Sequence, residues 1–291
     1  MPAEVVPLLN ANGRNDRFTY AKVLQDGHWL FLKKAKNSEL EPNLKRELLW
    51  ADFVNSIAKT EPEAHIRGPQ IVGFEGSGGL LMEYIDAAQV ASSSDGDAWR
   101  KKIDRYARTL DILDRHANNY TVEWPPSEVT ISDVDKVWQR WFGDHYEANL
   151  PTLTKARQLI VDNDAISYRV QHGDLTPWQM FEKGEDWIIY DGEKAGDHLP
   201  RFNDLAYGYG RLFTRLRNSK TAAVMLEKFI NYSGIEHNTF FRQFLPIMTF
   251  RATGMLADAY NNSDHENYIR EANDLIDLCF AGQLANFLPK D

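Results

Sequence analysis

Beyond Ile85 the chain reads almost entirely as helix, and the one interruption of that pattern constrains the fold more than any other feature. Ile103, Tyr106, Ala107, Leu110 and Leu113 recur at helical spacing, and similar stripes fill residues 220–288. Between them lies a strand-rich island, residues 168–191. Two short apolar runs, Gln179-Met180-Phe181 and Trp187-Ile188-Ile189-Tyr190, flank the turn Lys183-Gly184-Glu185-Asp186. A hairpin brings its outer ends together, so Asp174 and Asp191, in the loops beside those ends, are expected to converge. With the amide carbonyl of Gln179 they make an oxygen-rich set suited to Mg²⁺, which prefers hard ligands and keeps room for phosphate oxygens.

The first 85 residues follow a different rule. Runs 18–24 and 29–34 flank Gln25-Asp26-Gly27-His28, and Asp-Gly between two apolar runs is a hairpin signal. Pro42 marks a helix start, after which Leu44, Leu48, Ala51 and Val54 recur at helical spacing. Glu47, three residues after Leu44, projects near that apolar face rather than the solvated one. A second hairpin pairs residues 69–74 with 79–85 around Glu75-Gly76-Ser77-Gly78. The polar stretch 91–97 then leads into the helices, and no repeat of fixed period is visible. The expected class is α+β: a small antiparallel-sheet lobe over 1–85 and a larger, mainly helical lobe over 86–291.

Charge and cysteine usage narrow the function. The chain carries 33 Lys+Arg against 42 Asp+Glu, a net −9. A nucleic-acid binder needs a basic face, so that class is excluded, whereas an acidic surface suits a cationic small molecule. The single cysteine, Cys279, sits in an apolar run and reads as a core residue with no internal disulfide partner. No apolar leader and no run of about 18 apolar residues occurs, so a cytosolic (cytoplasmic) protein with no membrane segment is expected. There is no His-Glu-x-x-His zinc motif and no Gly-x-Ser-x-Gly nucleophile elbow.

Three motifs in order carry a resemblance. His172-Gly173-Asp174-Leu175, Asp191-Gly192-Glu193 and Asn203-Asp204-Leu205-Ala206 resemble the aminoglycoside phosphotransferase and choline kinase family, which has a protein-kinase-like bilobal fold. The resemblance implies ATP and Mg²⁺ as cofactors. It makes Asp174 the base that accepts the substrate hydroxyl proton and Asp191 a metal ligand, with Gln179 where the family has Asn. Lys33 is similar to the strand lysine that grips the α- and β-phosphates, and Glu47 to its ion-pair partner. Lys34 stays open as the alternative, because a one-residue slip exchanges strand faces. Met82-Glu83-Tyr84-Ile85 resembles the hinge that receives adenine, so Glu83, Tyr84 and Ile85 become cofactor-binding candidates. His172 and Asp204 are implied to be scaffold residues of the catalytic loop.

Spacing selects within that group. From Asp191 to Asp204 there are 13 positions and no Ala-Pro-Glu, which leaves no room for a protein-kinase activation segment. A small-molecule acceptor is therefore expected, in a pocket between Asp174 and the later helices. Trp178, Glu193 and Asp197 are candidates to line it, and an aromatic with carboxylates suits a cationic amine or amino sugar. Two departures favour the alternative of a nucleotide-binding pseudokinase acting as a regulatory module. One is Gln179; the other is the stretch Asn10-Ala11-Asn12-Gly13-Arg14-Asn15-Asp16, which offers one Gly where a phosphate-covering loop is expected to be Gly-rich. The presence of Asp174, Asp191, Lys33 and Glu47 favours catalysis. Neither the acceptor nor the oligomeric state is set by the sequence.

Overall fold

The computed structural model describes residues 4–8, 17–75, 79–126, 131–161, 163–260 and 265–284. The candidate phosphate-covering stretch 10–16 and the turn 76–78 lie outside them. The chain forms two compact units, Met1–Val90 with Thr121–Pro126 and Gln179–Gly196, and Ala91–Tyr120 with Ser127–Trp178 and Asp197–Asp291.

In the first unit, β1 (Glu4–Leu8), β2 (Phe18–Gln25) and β3 (His28–Ala35) precede α1 (Glu41–Thr60). β4 (Ile66–Arg67), β5 (Ile71–Glu75), β6 (Gly79–Glu83) and β7 (Ala88–Gln89) follow, and β8 (Met180–Lys183) and β9 (Asp186–Ile189) come from the island. The larger sheet is antiparallel in the order β1-β2-β3-β6-β5. The β2–β3 turn puts Asp26 at φ 51° and Gly27 at φ 80°. Positive φ at both positions is what a two-residue hairpin turn of matching twist requires, and Asp-Gly supplies it at low cost.

Register decides which side chains share a face. Tyr20 sits opposite Lys33 and Lys33 opposite Leu80, while Lys22, Phe31 and Met82 form the next rung. With a period of two, Phe18, Tyr20, Phe31, Lys33, Leu80 and Met82 all point to one side. There Phe18, Leu80 and Met82 pack with Leu44 of α1 into a core bordered by Tyr20, Phe31 and Tyr190. Pro42 lies in the first turn of α1, where its missing N–H costs nothing.

The hairpin of the island, β8–β9, groups with this unit, while residues 168–178 group with the second. β9 pairs with β4 in parallel and β8 pairs with β7, giving a second sheet in the order β4-β9-β8-β7. A two-stranded hairpin is marginal alone, so it takes its partners from the strands that flank the first sheet. After β9 the chain passes so close to α1 that a Cβ on Gly192 would stand 2.5 Å from Cβ of Trp50.

The second unit is helical: α2 (Gly96–Ala117), α3 (Val134–Phe142), α4 (Tyr146–Val161), α5 (Asn203–Thr214), α6 (Ser219–Ser233), α7 (His237–Ala259) and α8 (His265–Phe280). Asp95 caps α2 by accepting from the Ala98 N–H at 2.9 Å, and the expected stripe from Ile103 to Leu113 is buried. Phe202, Phe229, Phe240 and Phe244 form an aromatic core with ring centroids 5.0–6.5 Å apart. Cys279 is fully buried, and burial pushes its thiol up to about 12, which makes it an unreactive core residue. No described helix is long and apolar enough to cross a membrane.

Candidate active site

Lys33 is only 2% exposed, on the face of β3 that meets α1. Its ammonium donates to Glu47 Oε2 at 2.7 Å, Glu193 Oε2 at 2.9 Å and Asp191 Oδ1 at 3.1 Å. Three donors meet three carboxylates, the full capacity of a lysine. The Phe18 ring lies 4.7 Å from the ammonium. Lys34 falls on the opposite face of the strand and is exposed, so the register separates the two lysines. Glu47 reaches Lys33 because it shares the apolar face of α1 with Leu44 and Ala51. Asp191 and Glu193 arrive from the turn after β9, where Asp191 adopts a left-handed conformation at φ 63°, which Asp tolerates better than most residues.

The charges in this cluster do not balance. Burial works against the Lys33 charge, yet the three carboxylates hold its ammonium well above the usual lysine range. Burial also pushes the Glu47 carboxyl up to about 7, against the pull of Lys33. A second cation, Arg17, takes the other oxygen of Glu193 at 3.0 Å. Glu193, expected to line an acceptor pocket, is thus committed to Lys33 and Arg17 instead. Its position is set by the turn that also delivers Asp191.

Gln179 and Asp191 bracket the hairpin, and the Tyr190 N–H donates to the Gln179 carbonyl at 2.9 Å, which brings the two positions together. The Asp191 side chain is 48% exposed. Among the described residues no group of three His, Cys, Asp or Glu side chains is arranged as a metal cage. Mg²⁺ is commonly held by one or two protein ligands plus phosphate, and the hard oxygens of Asp191 and Gln179 fit that pattern.

At the hinge-like segment, Glu83 is tied on every side. Its N–H donates to Gln70 at 2.8 Å, and its carbonyl accepts the Tyr190 hydroxyl. Its carboxylate takes a bidentate pair from Arg67 at 2.6 and 2.9 Å and Lys183 at 3.1 Å. Although burial opposes ionisation, hydrogen bonds from Arg67 and Lys183 hold this carboxyl below its usual range. The Lys22 ammonium lies 3.7 Å from the Tyr84 ring centroid, and Ile85 is buried.

The second unit holds the other candidate group. Asp204, at the start of α5, accepts from the main-chain N–H groups of His172 at 2.6 Å and Gly173 at 2.8 Å. Burial raises its carboxyl in spite of those bonds. Gly173 has φ 99°, a conformation that favours glycine. Its carbonyl accepts from Asn203 at 3.4 Å and from Arg251, while Tyr106 donates to the Leu175 carbonyl at 2.8 Å. The loop is therefore anchored on both sides of Asp174. The Asp174 carboxylate is almost fully buried and lies 3.1 Å from Nδ1 of His172. Trp178 is half-buried, 5.6 Å from the Trp99 ring on one side and 5.9 Å from the Arg215 guanidinium. Asp197 is exposed.

No family model and no curated protein matches the chain. Solved structures match it in shape. A choline/ethanolamine kinase family protein from Mesorhizobium loti superposes with TM-score 0.57 at 14% identity, covering 99% of this chain and 92% of that one. Choline kinase LicA from Streptococcus pneumoniae gives 0.60 at 16% identity, with 97% and 93% covered. The aminoglycoside phosphotransferase APH(4)-Ia, in ternary complex with AMP-PNP and hygromycin B, gives 0.62 at 12% identity, with 96% and 94% covered.

The chain has the fold of these small-molecule kinases. Within that kinase fold, the structure brings Lys33, Glu47, Asp191 and Glu193 together in one unit and His172, Asp174 and Asp204 in the other. Three residues of these sites escaped sequence reasoning. Arg17 and Tyr190 carry no local signal. Arg251 does carry one: it is the lone charge in the apolar stretch from Phe244 to Ala257 of α7.

Proposed function

We propose that the chain is a cytosolic Mg·ATP-dependent phosphotransferase that moves the γ-phosphoryl group to a hydroxyl of a small molecule. The observation that carries this reading is the buried Lys33–Glu47 pair with Asp191 on the same ammonium, in a fold whose solved examples include complexes with ADP and AMP-PNP. Phosphoryl transfer asks little covalent work of a protein, so positioning and charge stabilisation dominate. Lys33 offsets phosphate charge, and Glu47 fixes its ammonium. Asp191 and Gln179 hold the metal, which supplies further charge neutralisation when bound. The segment 83–85 receives the base. Asp174 orients the acceptor hydroxyl and takes its proton as the oxygen bonds to phosphorus and the bond to ADP breaks. Asp204 and His172 position the loop that carries Asp174.

One observation favours a second reading, a nucleotide-binding module without turnover. The Glu83 carbonyl, where the base amine would bond, already accepts the Tyr190 hydroxyl. A carbonyl has two lone pairs, so this contact admits a second donor without excluding the first reading. The test is thermal shift with Mg·ATP, followed by ATP turnover against choline, ethanolamine, aminoglycosides, hydroxy acids and sugars, with Asp174→Ala as control. A shift with turnover supports the enzyme, a shift without turnover the module. No shift sinks both.

A further inference from the structure

The charges around Asp174 are of the wrong sign for the acceptor first expected. Of the carboxylates assigned to that pocket, Glu193 is held by Lys33 and Arg17, and Asp197 lies exposed. Trp178 is no vacant platform for a quaternary ammonium, since Trp99 packs against it and Arg215 already stands over its ring. The second unit places arginines beside the loop instead. Arg211 of α5 and Arg251 of α7 both approach the Tyr207 ring, at 4.8 and 5.0 Å.

The two arginines differ in what balances them. Arg211 is matched by Asp258 at 2.8 Å and by the hydroxyls of Tyr207 and Tyr268. Among the described residues Arg251 makes one hydrogen bond, to the Gly173 carbonyl, and has no carboxylate in ion-pair contact. Its Nε is buried with no hydrogen-bond partner. A guanidinium with a buried, unused donor and no carboxylate in direct contact is costly to keep. The residue whose carbonyl it touches is one Cα step, about 3.8 Å, from Asp174. Asp174 and Asp204 both feel its charge.

Resting on the phosphotransferase reading, we propose that the acceptor is a small hydroxyl-bearing anion, and that Arg251 binds its carboxylate or phosphate while its hydroxyl lies at Asp174. Arg251 is then the residue that sets acceptor specificity. Guanidinium is suited to this task because its planar fork presents parallel N–H donors to both oxygens of such groups.

The experiment is steady-state turnover of Mg·ATP by the full chain with acceptors matched except for charge: D-glycerate, glycerol 3-phosphate, glycerol, choline and kanamycin. Turnover is expected with glycerate or glycerol 3-phosphate, and which of the two distinguishes a carboxylate from a phosphate acceptor. Arg251→Gln is expected to raise KM for that acid on the order of 10- to 100-fold, the loss typical of a charged hydrogen bond, with KM for ATP little changed and any fall in kcat, from the lost bond to Gly173, smaller than that rise. Arg251→Lys is expected to restore part of it, and it carries the test if the Gln variant melts below assay temperature. Turnover of choline, kanamycin or glycerol at the level of the acids overturns the proposal, as does turnover of neither acid. So does a uniform fall in kcat at unchanged KM in Arg251→Gln, which assigns Arg251 to the phosphoryl group or the loop. Absence of a thermal shift with Mg·ATP overturns the phosphotransferase reading itself, a result separate from any acceptor profile.

Discussion

Lys33 and Asp174 are both buried charges, but the protein holds them by opposite means. Lys33 is fixed by side-chain charge alone, one ammonium under three carboxylates. Asp174 is fixed through main chain: its loop hangs from Asp204, Asn203, Tyr106 and Arg251, all bonded to peptide groups. A cation held by exchangeable carboxylates can pass from protein anions to phosphate anions with little reorganisation. A carboxylate whose loop is held by peptide hydrogen bonds is positioned by its backbone. The first arrangement suits a site that binds and releases a charged ligand, the second a site that must not move during proton transfer.

That contrast is broken most directly at Asp174. Asp174→Ala is expected to lower turnover by roughly 10²- to 10⁴-fold, the range for a lost general base, while leaving the Mg·ATP thermal shift intact. A loss of the shift would mean that Asp174 belongs to nucleotide binding. Asp204→Ala removes the acceptor of two buried N–H groups and is expected to cost about 3 kcal/mol, seen in urea unfolding as a lower midpoint. A neutral result there would show that the loop does not depend on its main-chain anchor.

The Lys33 side is sharpened by pH. The Glu47 carboxyl stands at about 7 in the folded chain against an ordinary 4.5. The folded state therefore binds that proton more tightly than the unfolded one, and this group makes stability rise as pH falls from 7 toward 4.5. Melting temperature measured from pH 8 to 5.5 is expected to show this rise, on the order of a few degrees, and Glu47→Gln to flatten it. An unchanged slope in the variant would assign it elsewhere. Lys183→Ala, which removes an exposed partner of Glu83, is expected to cost only about 0.5 kcal/mol, because Arg67 keeps the bidentate pair.

Much of this was legible in the sequence, for reasons that differ residue by residue. Period-two alternation and Asp26-Gly27 give the β2–β3 hairpin and its register, and the helical position of Glu47 beside Leu44 gives its meeting with Lys33. The scaffold role that the resemblance implies for Asp204 is compatible with the two main-chain N–H groups it accepts. The contacts of Glu193 were not legible, because its partners, Lys33 and Arg17, lie about 160 and 176 positions away, and no spacing rule reaches that far. The strands that accept the β8–β9 hairpin were hidden for the same reason, since β4 and β7 are two residues long and show no alternation. Arg251 stood out as a charge in an apolar helix, but what it touches depends on the packing of α7 against α5.

The unit that contains Lys33 is spliced from three separate stretches of chain, and one of them supplies Asp191 and Glu193. Lys33 and its helix partner therefore do not constitute a transplantable module. A fragment cut after Val90 would carry the lysine with only Glu47 of its three counter-ions, and its short strands β4 and β7 would lose their pairing partners. Such a protein cannot be assembled by appending one finished half to another. Any lineage that exchanged the first unit would have had to exchange with it a segment lying between stretches of the second.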